Sequence, residues 1–140
     1  MNILLTGGLG FMGSNLIRYL YDHYPDYRIW NFDLITYAGN PDNLRDIEEK
    51  ESELPFSKRR YYFIRGDVCD ERLLSYLFKE YHFDAVIHLA AESHVDRSIT
   101  DTRHFIHTNI RGTHALLDTL RAYPVKRFVH ISTDEVYGDR

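Results

Sequence analysis

A short apolar run that ends in evenly spaced glycines leaves this chain few ways to fold. Asn2-Ile3-Leu4-Leu5-Thr6 passes directly into Gly7-Gly8-Leu9-Gly10-Phe11-Met12-Gly13, so Gly7, Gly10 and Gly13 stand three residues apart. An amphipathic stretch from Gly10 to Tyr24 follows, with Phe11, Leu16, Ile17 and Leu20 at helical spacing. Strand, glycine turn and helix in that order open a βαβ unit. The first glycine permits the tight turn, the second lets backbone approach a pyrophosphate, and the third lets the helix pack on the sheet. The amides at the helix start then face the phosphates.

The same alternation runs on to the end of the chain. Strands are predicted at Asn2 to Thr6, Arg28 to Phe32, Tyr61 to Arg65, Ala85 to Leu89 and Arg127 to Ile131. Helices are predicted at Gly10 to Tyr24, Glu71 to Tyr81 and Arg103 to Tyr123, with Pro25 and Pro124 as stops and Asp101 or Thr102 as a cap. Between Asn40 and Arg60 the chain is polar, and a short helix near Pro41 to Lys50 leads into an exposed loop. The charge runs Glu48-Glu49-Lys50-Glu51 and Lys58-Arg59-Arg60 read as a solvated face. Right-handed crossovers give an α/β fold: a Rossmann-like parallel sheet of order 3-2-1-4-5, helices on both faces, ending after strand five. That fifth strand is an apolar edge of the kind sheets avoid exposing, so it is expected to hide against another chain.

Composition narrows the class. The 140 residues suit one domain, and 44% hydrophobic with 27% charged residues describe a globular chain. A net charge of −4 argues against nucleic acid or an anionic membrane as partner. The eleven Tyr and eight Phe are expected mainly in the core and on half-buried surface. One cysteine, Cys69, excludes an intrachain disulfide and fits a cytoplasmic setting. No apolar run reaches the ~20 residues of a membrane span.

Asp33 ends the second strand, twenty residues after Gly13. A carboxylate there accepts hydrogen bonds from a ribose diol and repels a 2′-phosphate, which favours NAD over NADP. The competing reading is an Asp that merely starts a turn. Asp67, with Val68, follows the third strand and is placed to reach the adenine end of such a cofactor. Past the fifth strand comes Ser132-Thr133-Asp134-Glu135-Val136-Tyr137-Gly138. A hydroxyl and two carboxylates outside the carboxyl end of a parallel strand stand where α/β enzymes place their chemistry. Neighbours in a regular strand point to opposite faces, so Asp134 and Glu135 can serve one substrate only if the strand has ended by Thr133. Capping of the next element is the alternative use of this acidic pair.

Taken in order, these motifs resemble the dTDP-glucose 4,6-dehydratases of the extended short-chain dehydrogenase/reductase family. The resemblance rests on the glycine loop, Asp33 with Leu34-Ile35-Thr36-Tyr37-Ala38-Gly39-Asn40, and Gly66-Asp67-Val68-Cys69-Asp70. It continues through His88-Leu89-Ala90-Ala91-Glu92-Ser93-His94-Val95-Asp96-Arg97-Ser98-Ile99, Thr108-Asn109-Ile110-Arg111-Gly112-Thr113, and the Ser132 to Gly138 run. The glycine loop is shared by many relatives; the Leu89 to Ile99 and Ser132 to Gly138 runs are specific. The resemblance implies NAD as cofactor, with Gly7, Gly10, Phe11, Met12 and Gly13 along its phosphates. It implies Asp33, Leu34 and Thr36 at the adenosine ribose and Asp67 and Val68 at adenine. Leu89, Ala90, Ala91 and Ser93 would lie along the nicotinamide half, with Thr108 as a further contact.

The family's substrate is a nucleotide sugar, dTDP-glucose, which Ser93 and Thr133 would touch. Its reaction oxidises C4, eliminates water across C5 and C6, and returns hydride to C6, a hydro-lyase reaction overall. In it Glu135 would be the base at C5 and Asp134 the acid at the C6 hydroxyl. Such groups contribute about 10²–10⁴-fold each. The family oxidises C4 with a Tyr-x-x-x-Lys pair that has no match here, since Tyr137 is followed by Asp139 and Arg140. Residues 1–140 are therefore expected to form an incomplete NAD-binding domain that lacks the later strands and the substrate domain, and to be inactive alone. A homo-oligomer is expected, because the missing helix would pair with Arg103 to Tyr123 at the family's dimer interface.

Three alternatives stay open: a UDP- or CDP-sugar dehydratase, an epimerase of the same family, and a non-catalytic NAD-binding or interaction module. His104 and His107 share a helix face as a metal pair would, but the sequence suggests no Cys or acidic partner, and no metal is expected. His94 and Arg97 receive no individual role.

Overall fold

Five parallel strands form the sheet, in the expected order β3-β2-β1-β4-β5. The computed structural model describes residues 1–93 and 101–138, with Asp134 and Glu135 described by their backbone only. His94 and Arg97 lie outside the described residues. The strands are β1 (Asn2–Thr6), β2 (Arg28–Asp33), β3 (Tyr61–Arg65), β4 (Ala85–His88) and β5 (Arg127–His130). Three of them differ by one residue at the carboxyl end from the sequence expectation. Leu5 of β1 stands opposite Asn31 of β2 and Ile87 of β4.

Alternation along the strands splits the core into two layers. Leu4, Trp30, Phe32 and Val86 face α3 (Glu71–Tyr81) and α5 (Thr113–Ala122), where they meet Leu74, Phe78 and Leu116. Leu5 and Ile29 face α1 (Phe11–His23) and α2 (Arg45–Ser52), where they meet Ile17, Leu20 and Ile47. Burying each such side chain stabilises the fold by about 1.5–3 kcal/mol. The aromatic content goes largely where expected. Trp30 stacks on Tyr62 with centroids 4.6 Å apart and meets Phe83 edge-on at 5.5 Å. The Asp70 carboxylate caps α3 by accepting from the Leu73 amide at 3.0 Å.

The polar segment after Asn40 departs from expectation in one respect. A 3-10 turn at Pro41–Leu44 leads into α2, which ends at Ser52, and a second 3-10 turn spans Phe56–Lys58. Glu51 is not part of a solvated face; it is 3% exposed. Its carboxylate accepts from the Tyr21 hydroxyl at 2.5 Å and from the Arg60 amide at 2.5 Å, so it ties α2 to α1 and to the start of β3. A buried carboxylate needs such partners, and a charge run in sequence does not reveal which member has them.

The third predicted helix is interrupted. It begins as α4 (Arg103–Phe105), widens into a π-helical segment over Ile106–Gly112, and resumes as α5. Two contacts accompany the widening: the Cys69 thiol donates to the His107 carbonyl at 3.1 Å, and Gly112 packs against Val68 so closely that a Cβ would overlap Val68 Cγ1. The Asp101 carboxylate accepts from the Arg103 amide at 3.0 Å, whereas Thr102 makes no side-chain cap bond. Beyond β4, the strand β5 is the sheet's edge among the described residues, and Val129, Ile131, Val136 and Tyr137 are exposed there or just after it. No helix among the described residues is long and apolar enough to cross a membrane.

Candidate functional site

The glycine turn at the end of β1 is held by its neighbours. Gly7 has φ +75°, and its amide donates to the Phe32 carbonyl at 2.9 Å. A Cβ on Gly7 would meet the Ala90 nitrogen at 2.7 Å, so no side chain fits between this turn and the loop after β4. Gly10 differs: its nearest neighbour to a Cβ is the Gly7 carbonyl oxygen at 3.4 Å. Its open side is where backbone can approach a ligand. Gly10 is also the N-cap of α1 and supplies no side-chain cap, so the first-turn amides keep their donors for an anion. Phe11 and Met12, at the start of that turn, are 84% and 59% exposed. Gly13 packs on Gly7, as the close helix–sheet contact requires.

Asp33 ends β2 beside this turn and is 8% exposed. Its Oδ2 accepts from the Leu9 amide at 2.9 Å and its Oδ1 from the Ile35 amide at 2.8 Å. The second of these is a local turn bond, so Asp33 does start a turn. The first is not local: it fixes the carboxylate against the glycine loop itself. Each oxygen keeps a lone pair, enough to accept a pair of hydroxyls. Leu34 and Thr36 are exposed on the following loop, where Ile35 takes φ 59°. These features, a cap-free helix start and an anchored carboxylate beside it, fit the phosphate and ribose parts of a dinucleotide.

Asp67 follows β3. Its Oδ1 accepts from the Cys69 amide at 2.8 Å, and its Oδ2 lies 2.9 Å from His107 Nε2. Burial alone would raise the Asp67 carboxyl, but the Cys69 amide and then His107 hold it below the usual carboxylate range. Val68 is buried against Gly112, so only its backbone is available to a ligand. Burial, then the Asp67 charge, push the Cys69 thiol up to about 11. His107 therefore meets an acidic residue and a cysteine that its own helix does not contain, contrary to expectation. His104 instead lies 3.9 Å from Asp101.

The end of β4 holds residues that sequence reasoning missed. His88 is 1% exposed, with Nδ1 2.6 Å from Thr6 Oγ1 and Nε2 3.1 Å from Thr113 Oγ1. Thr6 Oγ1 also accepts from the Ala90 amide at 3.2 Å. A neutral ring protonated at Nε2 satisfies this whole chain of contacts. Burial, then His130, push the His88 pKa down to about 4. Leu89 and Ala90 leave the strand half-buried, while Ala91 and Ser93 are exposed. Asn109, in the π-helical segment, accepts from the Glu92 amide at 2.8 Å and donates to the Glu92 carbonyl at 2.9 Å. Its neighbour Thr108 is half-buried. The Tyr37 hydroxyl donates to Glu92 Oε2 at 2.8 Å. A polar residue at an inward strand position was the available signal for His88; nothing in the sequence pointed from Asn109 or Tyr37 to Glu92.

At the end of β5 the strand stops at His130, and the backbone of Asp134–Tyr137 is a 3-10 turn. The condition for Asp134 and Glu135 to act on one substrate is met at the backbone, because strand alternation no longer separates them. Their side chains lie outside the described residues. Thr133 is exposed immediately before the turn.

Residues 4–140 match the family model described as GDP-mannose 4,6 dehydratase. A dTDP-glucose 4,6-dehydratase of Haemophilus influenzae is 48% identical over 148 residues, covering 99% of this chain and 41% of that protein. The chain thus spans about two-fifths of the length of such curated relatives. Among solved structures, a dTDP-glucose 4,6-dehydratase of Streptomyces venezuelae with NAD bound is 42% identical at TM-score 0.85, covering 100% of this chain and 42% of that one. A UDP-glucose 4-epimerase of Thermotoga maritima with UDP-glucose is 30% identical at TM-score 0.81, covering 100% and 40%.

Proposed function

The chain belongs to the GDP-mannose 4,6 dehydratase family, and from that premise we propose that it is the NAD-binding part of a dTDP-glucose 4,6-dehydratase, a hydro-lyase. The observation that carries the cofactor reading is Asp33, whose carboxylate is anchored by the Leu9 amide beside a helix start free of any side-chain cap. Gly7, Gly10, Phe11, Met12 and Gly13 line the phosphates, and Asp33, Leu34 and Thr36 take the adenosine ribose. Asp67 and the Val68 backbone take adenine. Leu89, Ala90, Ala91, Ser93 and Thr108 flank the nicotinamide.

NAD, when bound, supplies the hydride acceptor and donor for the sugar. The chain's own residues do the proton work. Glu135 removes the proton at C5, Asp134 protonates the departing hydroxyl at C6, and Thr133, with Ser93, holds the hexose. An acid and a base on neighbouring residues suit an elimination across adjacent carbons. An epimerase needs no such pair, and the higher identity to dehydratases than to the epimerase supports the same choice. The relatives' names support dTDP-glucose as the substrate. A cytoplasmic enzyme is in keeping with the single cysteine.

Fluorescence titration of the 140-residue chain tests the cofactor reading. NADH is expected to bind and NADPH to bind at least about tenfold more weakly, a difference of about 1.4 kcal/mol. Equal affinities would remove the role given to Asp33, and no binding of either would remove the dinucleotide reading.

A further inference from the structure

The loop after β3 and the π-helical segment bring together three side chains of different chemistry. A carboxylate oxygen of Asp67, the Cys69 sulfur and a ring nitrogen of His107 all lie within 4.8 Å of one another. Among the described residues no other group of three His, Cys, Asp or Glu side chains comes together in this way. All three residues are half-buried, and the Asp67 and His107 side chains keep 32% and 40% of their exposure. The cluster is therefore reachable from solvent without being a surface accident of long side chains.

We propose that Asp67, Cys69 and His107 form a site for a borderline divalent cation such as Zn²⁺, and that the cation and the adenine end of the dinucleotide compete for Asp67. The competition rests on the cofactor reading above; the cation site does not. Tetrahedral zinc, with bonds of about 2.0–2.3 Å, holds its ligand atoms about 3.2–3.7 Å apart. On binding, the cation draws atoms now within 4.8 Å of one another in to that spacing. A thiolate, an imidazole and a carboxylate together select zinc-like ions over magnesium or calcium, which prefer oxygen alone. Three protein ligands leave a fourth position for water.

The surroundings are built for one oxygen to face the cation. Asp67 Oδ1 is occupied by the Cys69 amide at 2.8 Å, which orients Oδ2 toward His107. On binding, the Cys69 thiol gives its proton to solvent and leaves the His107 carbonyl. The His107 nitrogen that coordinates gives up any proton it carries. Thiolate and carboxylate then balance the two positive charges. Gly112 lies beside the cluster: a Cβ there would overlap Val68 Cγ1 at 2.4 Å and touch the Cys69 sulfur at 3.6 Å, so the loop and the helix approach each other closely at this point. The sequence led to no expected metal site; the structure brings one of the two helical histidines, His107, to two residues from another loop.

Titration of the reduced, metal-free chain with Co²⁺ tests the site. One equivalent is expected to give tetrahedral visible bands and a thiolate-to-cobalt charge-transfer band, both abolished by Zn²⁺. Cys69→Ser should lose the charge-transfer band, and His107→Gln should weaken binding about tenfold or more. No charge-transfer band, or one that survives Cys69→Ser, overturns the site. NADH titration with and without saturating Zn²⁺ tests the competition. Zn²⁺ is expected to weaken NADH by about fivefold or more, and to have no effect in Cys69→Ser. A cobalt band together with unchanged NADH affinity overturns the competition. Absence of NADH binding in the metal-free chain counts against the cofactor reading and leaves the cobalt result to stand by itself.

Discussion

His88 sits where three elements meet, and its protonation is set by that place. Thr6 of β1 holds one ring nitrogen and Thr113 of α5 the other, and the residue is only 1% exposed. Its pKa of about 4 lies below the ordinary 6.5. Between those values the unfolded chain binds a proton that the folded chain refuses, so stability rises with pH across that window. The contribution of His88 is complete above about pH 6.5 and is lost as pH falls through 4, amounting to roughly 3 kcal/mol. Urea denaturation at several pH values is expected to show this slope in the native chain and a flatter one in His88→Asn. Equal slopes would mean that His88 is not the titrating group.

The π-helical segment shows what a widened turn does for an element. It carries Asn109, whose amide grips both backbone polar groups of Glu92 and so fixes the loop after β4. Asn109→Ala is expected to cost about 1–3 kcal/mol by leaving those groups without this partner. Hydrogen exchange at the Glu92 amide should quicken in the variant while β1 stays protected; unchanged exchange would show that the loop is held by other means. This element also marks the limit of what the sequence discloses. Strand positions and sheet order were legible because Leu4 and Leu5, or Ile29 and Trp30, belong to buried strands of apolar residues. The glycine turn and Asp33 were legible because their spacing is local. The π-helical register was not, since one extra residue per turn leaves the apolar pattern of Ile106, Ile110 and Leu116 looking like a continuous helix. The partners of Glu51 and His107 come from segments nine to forty residues away, and no local pattern encodes them.

At the scale of the molecule, the two edge strands of the sheet differ: β3 begins with buried residues, whereas β5 is mostly exposed. Val129 in β5 and Ile131 just after it keep 39% and 38% exposure, and Val136 and Tyr137 further on are exposed as well. Such an edge offers unpaired backbone groups to another chain. Self-association is expected, with light scattering giving a mass above the protomer's as concentration rises; a constant monomer mass would exclude it. At the same scale, the Tyr37 hydroxyl donates to Glu92 Oε2 between two loops that are far apart in sequence. Because β1 lies between β2 and β4, the loops that carry these two residues flank the glycine turn on either side. The bridge therefore ties the β2 side of the turn to the β4 side through two side chains, where no backbone pairing joins those strands.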